Sequence, residues 1–208
     1  MLRTALIAST LLAPASMAAS VPDRADDVRP LSVGAAAPEF TVRRPDGSDY
    51  RFEPAERSAP ALLIFYRGGW CPYCNAHLAE LRRVVPRLRS SGYDVLFLSA
   101  DQPALLHSSL EDDMPEYTLL SDSRMQAARA FGVAFRVDDE TYERYRGLGL
   151  DLEAASGETH HELPVPAVFL VDASGTVRYV HADPDYTVRL SAEELEGVLE
   201  RTGIAGAD

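Results

Sequence analysis

Residues Gly68 to His77 read GGWCPYCNAH and hold both cysteines of the chain, Cys71 and Cys74. Two thiols at this spacing can cycle between dithiol and disulfide, reduce a peroxide, supply half of a metal site, or staple a loop. A disulfide closing so small a ring constrains little of the unfolded chain, so a purely structural bond would stabilise weakly. A zinc site needs two further ligands, and His160 and His161 are adjacent and distant in sequence, unlike a metal-binding pair. Haem attachment needs a histidine directly after the second cysteine, where this chain has Asn75. No metal and no cofactor is therefore expected. Thiol redox chemistry needs one reactive thiolate with a resolving thiol beside it, which the pair can supply.

The surrounding residues say how such a pair would be held. Ala61-Leu-Leu-Ile-Phe-Tyr66 is an apolar run of strand length, and a helical pattern follows the cysteines. Gly68 and Gly69 give the turn between them. Pro72 suits a first helical turn, where its missing N–H would have had no partner anyway. Cys71 then meets free backbone N–H groups and the positive end of the helix dipole, both of which favour thiolate. Cys74 follows one turn later, on the same side and less exposed. Cys71 is thus the expected attacking sulfur and Cys74 the resolving one. Arg67 either lowers the Cys71 pKa or is simply solvated. Trp70 either shields the sulfur or packs half-buried, and Tyr73 either touches substrate or covers the helix surface. His160 and His161 either reach the site as acid/base groups or lie exposed.

Two more unbroken apolar runs, Val95–Ser99 and Ala167–Val171, read as strands buried on both faces. Between the first run and the second, Leu78, Leu81, Val85 and Leu88 recur at helical spacing, with Pro86 expected to kink or end the helix. The unit 61–99 therefore predicts strand, helix, parallel strand. Phe40–Arg43 and Tyr50–Phe52 flank Asp46-Gly47, a hairpin signal. Segments 103–112 and 123–132 read as helices around a short strand at Thr118–Leu120. A last strand lies near Val177–His181, and Ser191 with Glu194 forms a capping box for a final helix to about Arg201. The stretch 133–163, with Tyr142, Tyr145 and Gly147, is either a helical insert or a loop over the site. The fold class predicted is α/β: a central mixed β-sheet with helices on both faces.

The chain has 208 residues, 46% hydrophobic, enough for one domain with a proper core. Its net charge of −12 argues against a nucleic-acid partner, which needs a basic face. No apolar run approaches the roughly 18 residues of a membrane span, and no cysteine follows the leader to carry a lipid anchor. Residues 1–18 read as a signal peptide, with Arg3, an apolar Thr4–Ala15 stretch and a small-x-small site at Ser16-Met17-Ala18. Residues 19–35 read as a leader or linker and 36–204 as the folded domain. The protein is thus expected to be exported, to the periplasm. The acidic runs Glu111–Asp113 and Asp138–Glu140 read as solvated faces.

Trp70-Cys71-Pro72-Tyr73-Cys74 after an apolar strand resembles the active site of thioredoxin-like proteins. Val165-Pro166-Ala167-Val168-Phe169 resembles the strand that carries their cis-proline. Ala36-Ala37-Pro38-Glu39-Phe40-Thr41, Leu120-Ser121-Asp122 and Asp185-Tyr186 resemble the peroxiredoxin-like branch of the alkyl hydroperoxide reductase/thiol-specific antioxidant (AhpC/TSA, redoxin) superfamily. The resemblance spans about residues 33 to 203. It implies a three-layer thioredoxin-like fold and a cis Pro166 beside the sulfurs, although an ordinary strand-initiating proline fits that position too. The pattern departs at the peroxiredoxin signature PxxxTxxC. Its attacking cysteine falls on Cys74, its Thr on Cys71, its Pro on Arg67 and its later Arg on Pro166. Thioredoxins also keep a buried acid on the strand before the motif, and Leu62–Tyr66 has none.

The leading expectation is accordingly a thiol–disulfide oxidoreductase cycling Cys71 and Cys74. Its alternative is a thiol-dependent peroxidase acting on hydrogen peroxide or organic hydroperoxides. A third reading is a non-catalytic redoxin-fold module that binds a partner or a metal. The resemblance implies as partners a thiol reductant, thioredoxin-like or small, and a disulfide or peroxide substrate.

Overall fold

The computed structural model describes residues 20–106 and 117–203. The elements in chain order are strands β1 (Phe40–Arg43), β2 (Asp49–Phe52) and β3 (Ala61–Tyr66), helices α1 (Pro72–Leu81) and α2 (Val85–Ser90), strand β4 (Asp94–Ser99), helix α3 (Pro103–Leu106), strand β5 (Thr118–Ser121) and helix α4 (Gln126–Ala130). They continue with β6 (Ala134–Arg136), α5 (Asp139–Gly147), α6 (Leu152–Ser156), β7 (Glu162–Pro164), β8 (Ala167–Val171), β9 (Val177–Ala182) and α7 (Ala192–Thr202). The expected signal peptide, the acidic run Glu111–Asp113 and the end of the predicted helix 103–112 lie outside the described residues.

Seven strands form one mixed sheet in the order β2-β1-β5-β4-β3-β8-β9. The three apolar runs sit at its centre: β3 pairs parallel with β4, from Ala61 opposite Asp94 to Tyr66 opposite Ser99, and antiparallel with β8 on its other side. Along β3 the side chains alternate between two cores. Leu63 and Phe65 face one, with Phe131 and Phe169; Leu62, Ile64 and Tyr66 face the other, with Leu78, Leu88 and Leu195. Burial on both faces is why these strands lack polar alternation. The mixed sheet between helical layers matches the predicted class.

The chain leaves the helical register after Leu81, and Pro86 falls in the first turn of α2, where it removes no helical hydrogen bond. The predicted capping box is formed: Ser191 Oγ accepts from Glu194 N, and Glu194 Oε2 accepts from Ser191 N. The stretch 133–163 holds more structure than its charge suggests. β6 and β7 form a two-stranded hairpin that brackets α5 and α6, with Phe135 opposite Leu163. Strands of three residues carry too short a pattern to read in advance. Asp138, in the second acidic run, caps α5 by accepting from Thr141 N at 2.8 Å. The leader is docked: Leu31 N donates to Phe131 O and Arg136 N to Pro22 O.

Pro166 differs from the implied cis-proline. No peptide bond among the described residues is cis. The chain runs from β7 through Val165, whose N–H donates to Val133 O, and directly into β8. A passage of that kind needs no reversal and accommodates a trans bond. Pro166 is the strand-initiating proline of the bland alternative. It is buried, one step beyond the Ala167–Phe65 pair and hence at the end of β3 where the cysteine turn begins.

Candidate active site

The cysteine turn is built where β3 ends. Cys71 N donates to Gly68 O at 3.2 Å, closing a tight turn over residues 68–71. Gly68 has φ +146, and a Cβ there would lie 2.3 Å from Trp70 Nε1 and 2.7 Å from Asp101 Oδ1, so only glycine fits. Asp101, two residues past the end of β4, pins the turn from below: its Oδ2 accepts from Gly69 N at 2.7 Å and from Ser99 Oγ at 3.1 Å. Asn75 Nδ2 reaches back to Gly69 O at 2.8 Å. Helix α1 then starts with Cys71 as its N-cap and Pro72 in its first turn, as the sequence implies.

Asp101 is a site residue that sequence reasoning missed. It is a buried acid where β3 has none, supplied from just past the end of the neighbouring parallel strand. The available signal was Ser99-Ala100-Asp101, a polar pair closing an apolar strand. Burial raises its carboxyl pKa, while the bonds from Gly69 and Ser99 and the nearby Trp70 indole pull the other way.

Both cysteines are free thiols and both are buried, Cys71 to 2% exposure and Cys74 to 1%. The expected difference in exposure is absent. What separates them is charge. The Cys74 thiol, facing the Cys71 sulfur, is the largest influence lowering Cys71 from 9.0 to about 6, with help from the Cys74 N–H and from the guanidinium groups of Arg67 and Arg189; burial opposes them. The Cys71 sulfur accepts no fully formed capping bond, so these act as nearby dipoles and charges. Cys74 moves strongly upward, because its proton is shared toward Cys71, burial disfavours its thiolate, and a Cys71 anion repels a second one.

Arg67 is not solvated. It is 5% exposed, its Nη2 donates to Tyr145 Oη at 2.6 Å, and its guanidinium carbon lies 5.1 Å from the Trp70 ring centre and 4.5 Å from that of Tyr186. No carboxylate pairs with it among the described residues. Aromatic faces and one phenol replace the usual counterion, leaving its positive charge available to a thiolate. Helix α5 thus does lie over the site, through Tyr145. Tyr73 is 51% exposed and meets Tyr186 edge-on at 5.6 Å, forming the outer rim.

A second missed residue is Arg189, between β9 and α7, whose Nη2 stands 3.6 Å from Cys74 Sγ. Nothing in sequence links it to a cysteine 115 positions earlier. His160 and His161 line a small cavity with Arg67, Trp70 and Asp101, but their polar contacts point elsewhere. His160 Nδ1 accepts from Glu162 N and Nε2 meets Ser123 O at 2.8 Å, so both ring nitrogens are satisfied away from the cysteines. His161 Nε2 contacts Glu153 Oε1 at 2.7 Å, and its ring stacks on Tyr142 at 3.9 Å. Among the described residues no cluster of side chains is placed to hold a metal ion, and no helix is long and apolar enough to cross a membrane.

A buried thiol pair at the start of a helix that follows a central strand defines a thioredoxin-like redox protein. The AhpC/TSA family model matches residues 33–180, and the chain belongs to that family. It is 28% identical over 156 residues to Peroxiredoxin Bcp of Escherichia coli (strain K12), covering 75% of this chain and 88% of that protein. Its fold superposes on a peroxiredoxin-like protein from Aquifex aeolicus with TM-score 0.62, at 22% identity and covering 84% of this chain and 89% of the other. Peroxidoxin BcpB from Mycobacterium tuberculosis gives TM-score 0.60, at 17% identity and covering 82% and 96%. The protein is an oxidoreductase that works through cysteine thiols.

Proposed function

We propose that the protein is a thiol-dependent peroxidase in which Cys71 attacks and Cys74 resolves. The observation that carries this reading is the burial of both sulfurs beside two guanidinium groups that no carboxylate neutralises among the described residues. A protein disulfide cannot reach a cysteine that is 2% exposed without displacing the rim, whereas a peroxide is only two oxygens across. The Cys71 thiolate attacks one peroxide oxygen, the O–O bond breaks, and the departing oxygen leaves as water or alcohol after taking a proton. The sulfur, oxidised by two electrons, becomes a sulfenic acid. Cys74 then forms the S–S bond and releases water. A thiol reductant, a thioredoxin-like protein or a small thiol, is proposed to return the pair to the dithiol after Tyr73 and Tyr186 move aside. Arg67, whose charge acts on Cys71, takes the charge-stabilising place that Pro166 cannot fill as the counterpart of the peroxiredoxin arginine. Kinship with Peroxiredoxin Bcp supports the peroxidase reading over thiol–disulfide exchange as the main activity.

The test is stopped-flow fluorescence of Trp70, the single tryptophan, on mixing the reduced protein with hydrogen peroxide. A fast phase that Cys71→Ser abolishes and Cys74→Ser retains supports the reading. A fast phase that survives Cys71→Ser and needs Cys74 moves the attack to the other sulfur. Slow oxidation by peroxide with rapid oxidation by oxidised glutathione would make the protein a thiol–disulfide oxidoreductase instead.

A further inference from the structure

The two guanidinium groups both bear on Cys71, but it is Arg189 that stands in contact with Cys74. Arg67 follows β3 directly, and its charge acts on Cys71. Arg189 makes its sulfur contact with Cys74, at 3.6 Å. Its other terminal nitrogen donates to Val188 O at 3.1 Å, and no carboxylate pairs with it among the described residues. In a chain with 32 acidic residues and 20 arginines, an arginine left free of acids beside a buried sulfur is a specific placement. It also lies beyond residues 33–180, the span shared with the family.

The segment carrying Arg189 is held in place. Asp183 accepts from Asp185 N, and Asp185 accepts from Thr187 N and Oγ1, so residues 183–187 fold on themselves. Tyr186 covers Arg67 at 4.5 Å. Leu190 is buried, and its carbonyl accepts from His77 Nε2 at 2.9 Å on the helix that carries Cys74. Arg189 is therefore fixed between two anchors.

The cycle needs opposite things of Cys74 in its two steps. While Cys71 is the nucleophile, Cys74 must keep its proton, and burial beside an anion ensures that. Once Cys71 carries a hydroxyl the anion is gone, and Cys74 must become nucleophilic inside a site that excludes water. The charge in contact with its sulfur is then that of Arg189. We infer that Arg189 is a catalytic residue of the resolving step: it stabilises the Cys74 thiolate while its sulfur bonds to Cys71 Sγ, the S–O bond breaks, and the hydroxyl leaves with the Cys74 proton as water. This rests on the peroxidase reading for its first step.

The experiment compares wild type, Arg189→Gln and Arg189→Lys, each reduced and mixed with one equivalent of hydrogen peroxide. Sulfenic acid is trapped with dimedone at timed intervals and counted by mass spectrometry, and free thiols are counted in parallel. Arg189→Gln is expected to form sulfenic acid within about threefold of the wild-type rate and to close the disulfide about tenfold more slowly or worse, the order that loss of one charge-assisted contact produces. Dimedone adduct then accumulates, excess peroxide drives Cys71 to sulfinic acid, and Arg189→Lys recovers most of the closure rate. A preserved first step also shows that the variant is folded. Closure in Arg189→Gln at the wild-type rate would overturn the inference and leave the peroxidase reading standing, as would an equal loss in both steps that Arg189→Lys does not recover. Failure of the wild-type protein to form sulfenic acid would overturn both.

Discussion

Replacing Cys74 with alanine removes the largest influence holding the Cys71 proton off. With Cys71 at about 6 rather than the ordinary 9.0, roughly 90% of it is thiolate at pH 7 instead of about 1%. A thiol donor turned toward a sulfur anion without full hydrogen-bond geometry belongs at the low end of charge-assisted contacts, about 1.5 kcal/mol, or about one pKa unit. The Cys71 midpoint should therefore rise to roughly 7 in Cys74→Ala, and the thiolate at pH 7 should fall to about half. A single remaining cysteine makes the titration unambiguous. The assay is thiolate absorbance at 240 nm between pH 4 and 10, checked by iodoacetamide alkylation rates over the same range. The midpoint must be read and not a rate at one pH, because a more basic thiolate is intrinsically more nucleophilic and partly conceals the shift. A Cys74→Ala midpoint at or below the wild-type value would refute the reasoning and leave the helix N-terminus and the two arginines as the whole cause.

Three further outcomes are expected. His77 is held by burial at about 4, below its ordinary 6.5, so the folded state stays unprotonated where the unfolded state binds a proton. Stability should thus fall as pH drops from 6.5 toward 4, by up to roughly 3 kcal/mol from this group, and urea unfolding of His77→Gln at pH 4.5 and 6.5 should show a shallower loss than wild type. Gly68→Ala places a methyl against Trp70 and Asp101 at a backbone angle alanine avoids; it should cost about 2 kcal/mol or more, lower Tm by roughly 5 °C, and raise the Cys71 midpoint. If residues 1–18 act as an export signal, the intact mass of the protein from a periplasmic fraction should correspond to a chain starting at Ala19; a full-length mass there would contradict it.

Much of this protein is written in short-range pattern. The three apolar runs could only be central strands, because residues apolar at every position need cover on both faces. The strand–turn–helix setting of the cysteines follows from Gly68, Gly69 and Pro72, whose backbone preferences act locally and need no tertiary help. The same local chemistry makes the capping box at Ser191 and the hairpin at Asp46-Gly47 legible. What the sequence could not determine is which charges meet the sulfurs. Arg67 had two readings until α5 and the loop after β9 brought Tyr145, Trp70 and Tyr186 around it and removed it from water. Asp101 was one acid among 32 until the parallel pairing of β3 and β4 set it under Gly69. Arg189 reaches Cys74 across 115 residues. Exposure was also a tertiary matter: helix position alone ranked Cys71 as the more open thiol, and packing closed over both. Helix starts, turns and the apolar runs that become strands are set by the preferences of near neighbours in the chain, whereas burial and electrostatic field are sums over whatever the fold packs nearby, and those sums decide which thiol gives up its proton.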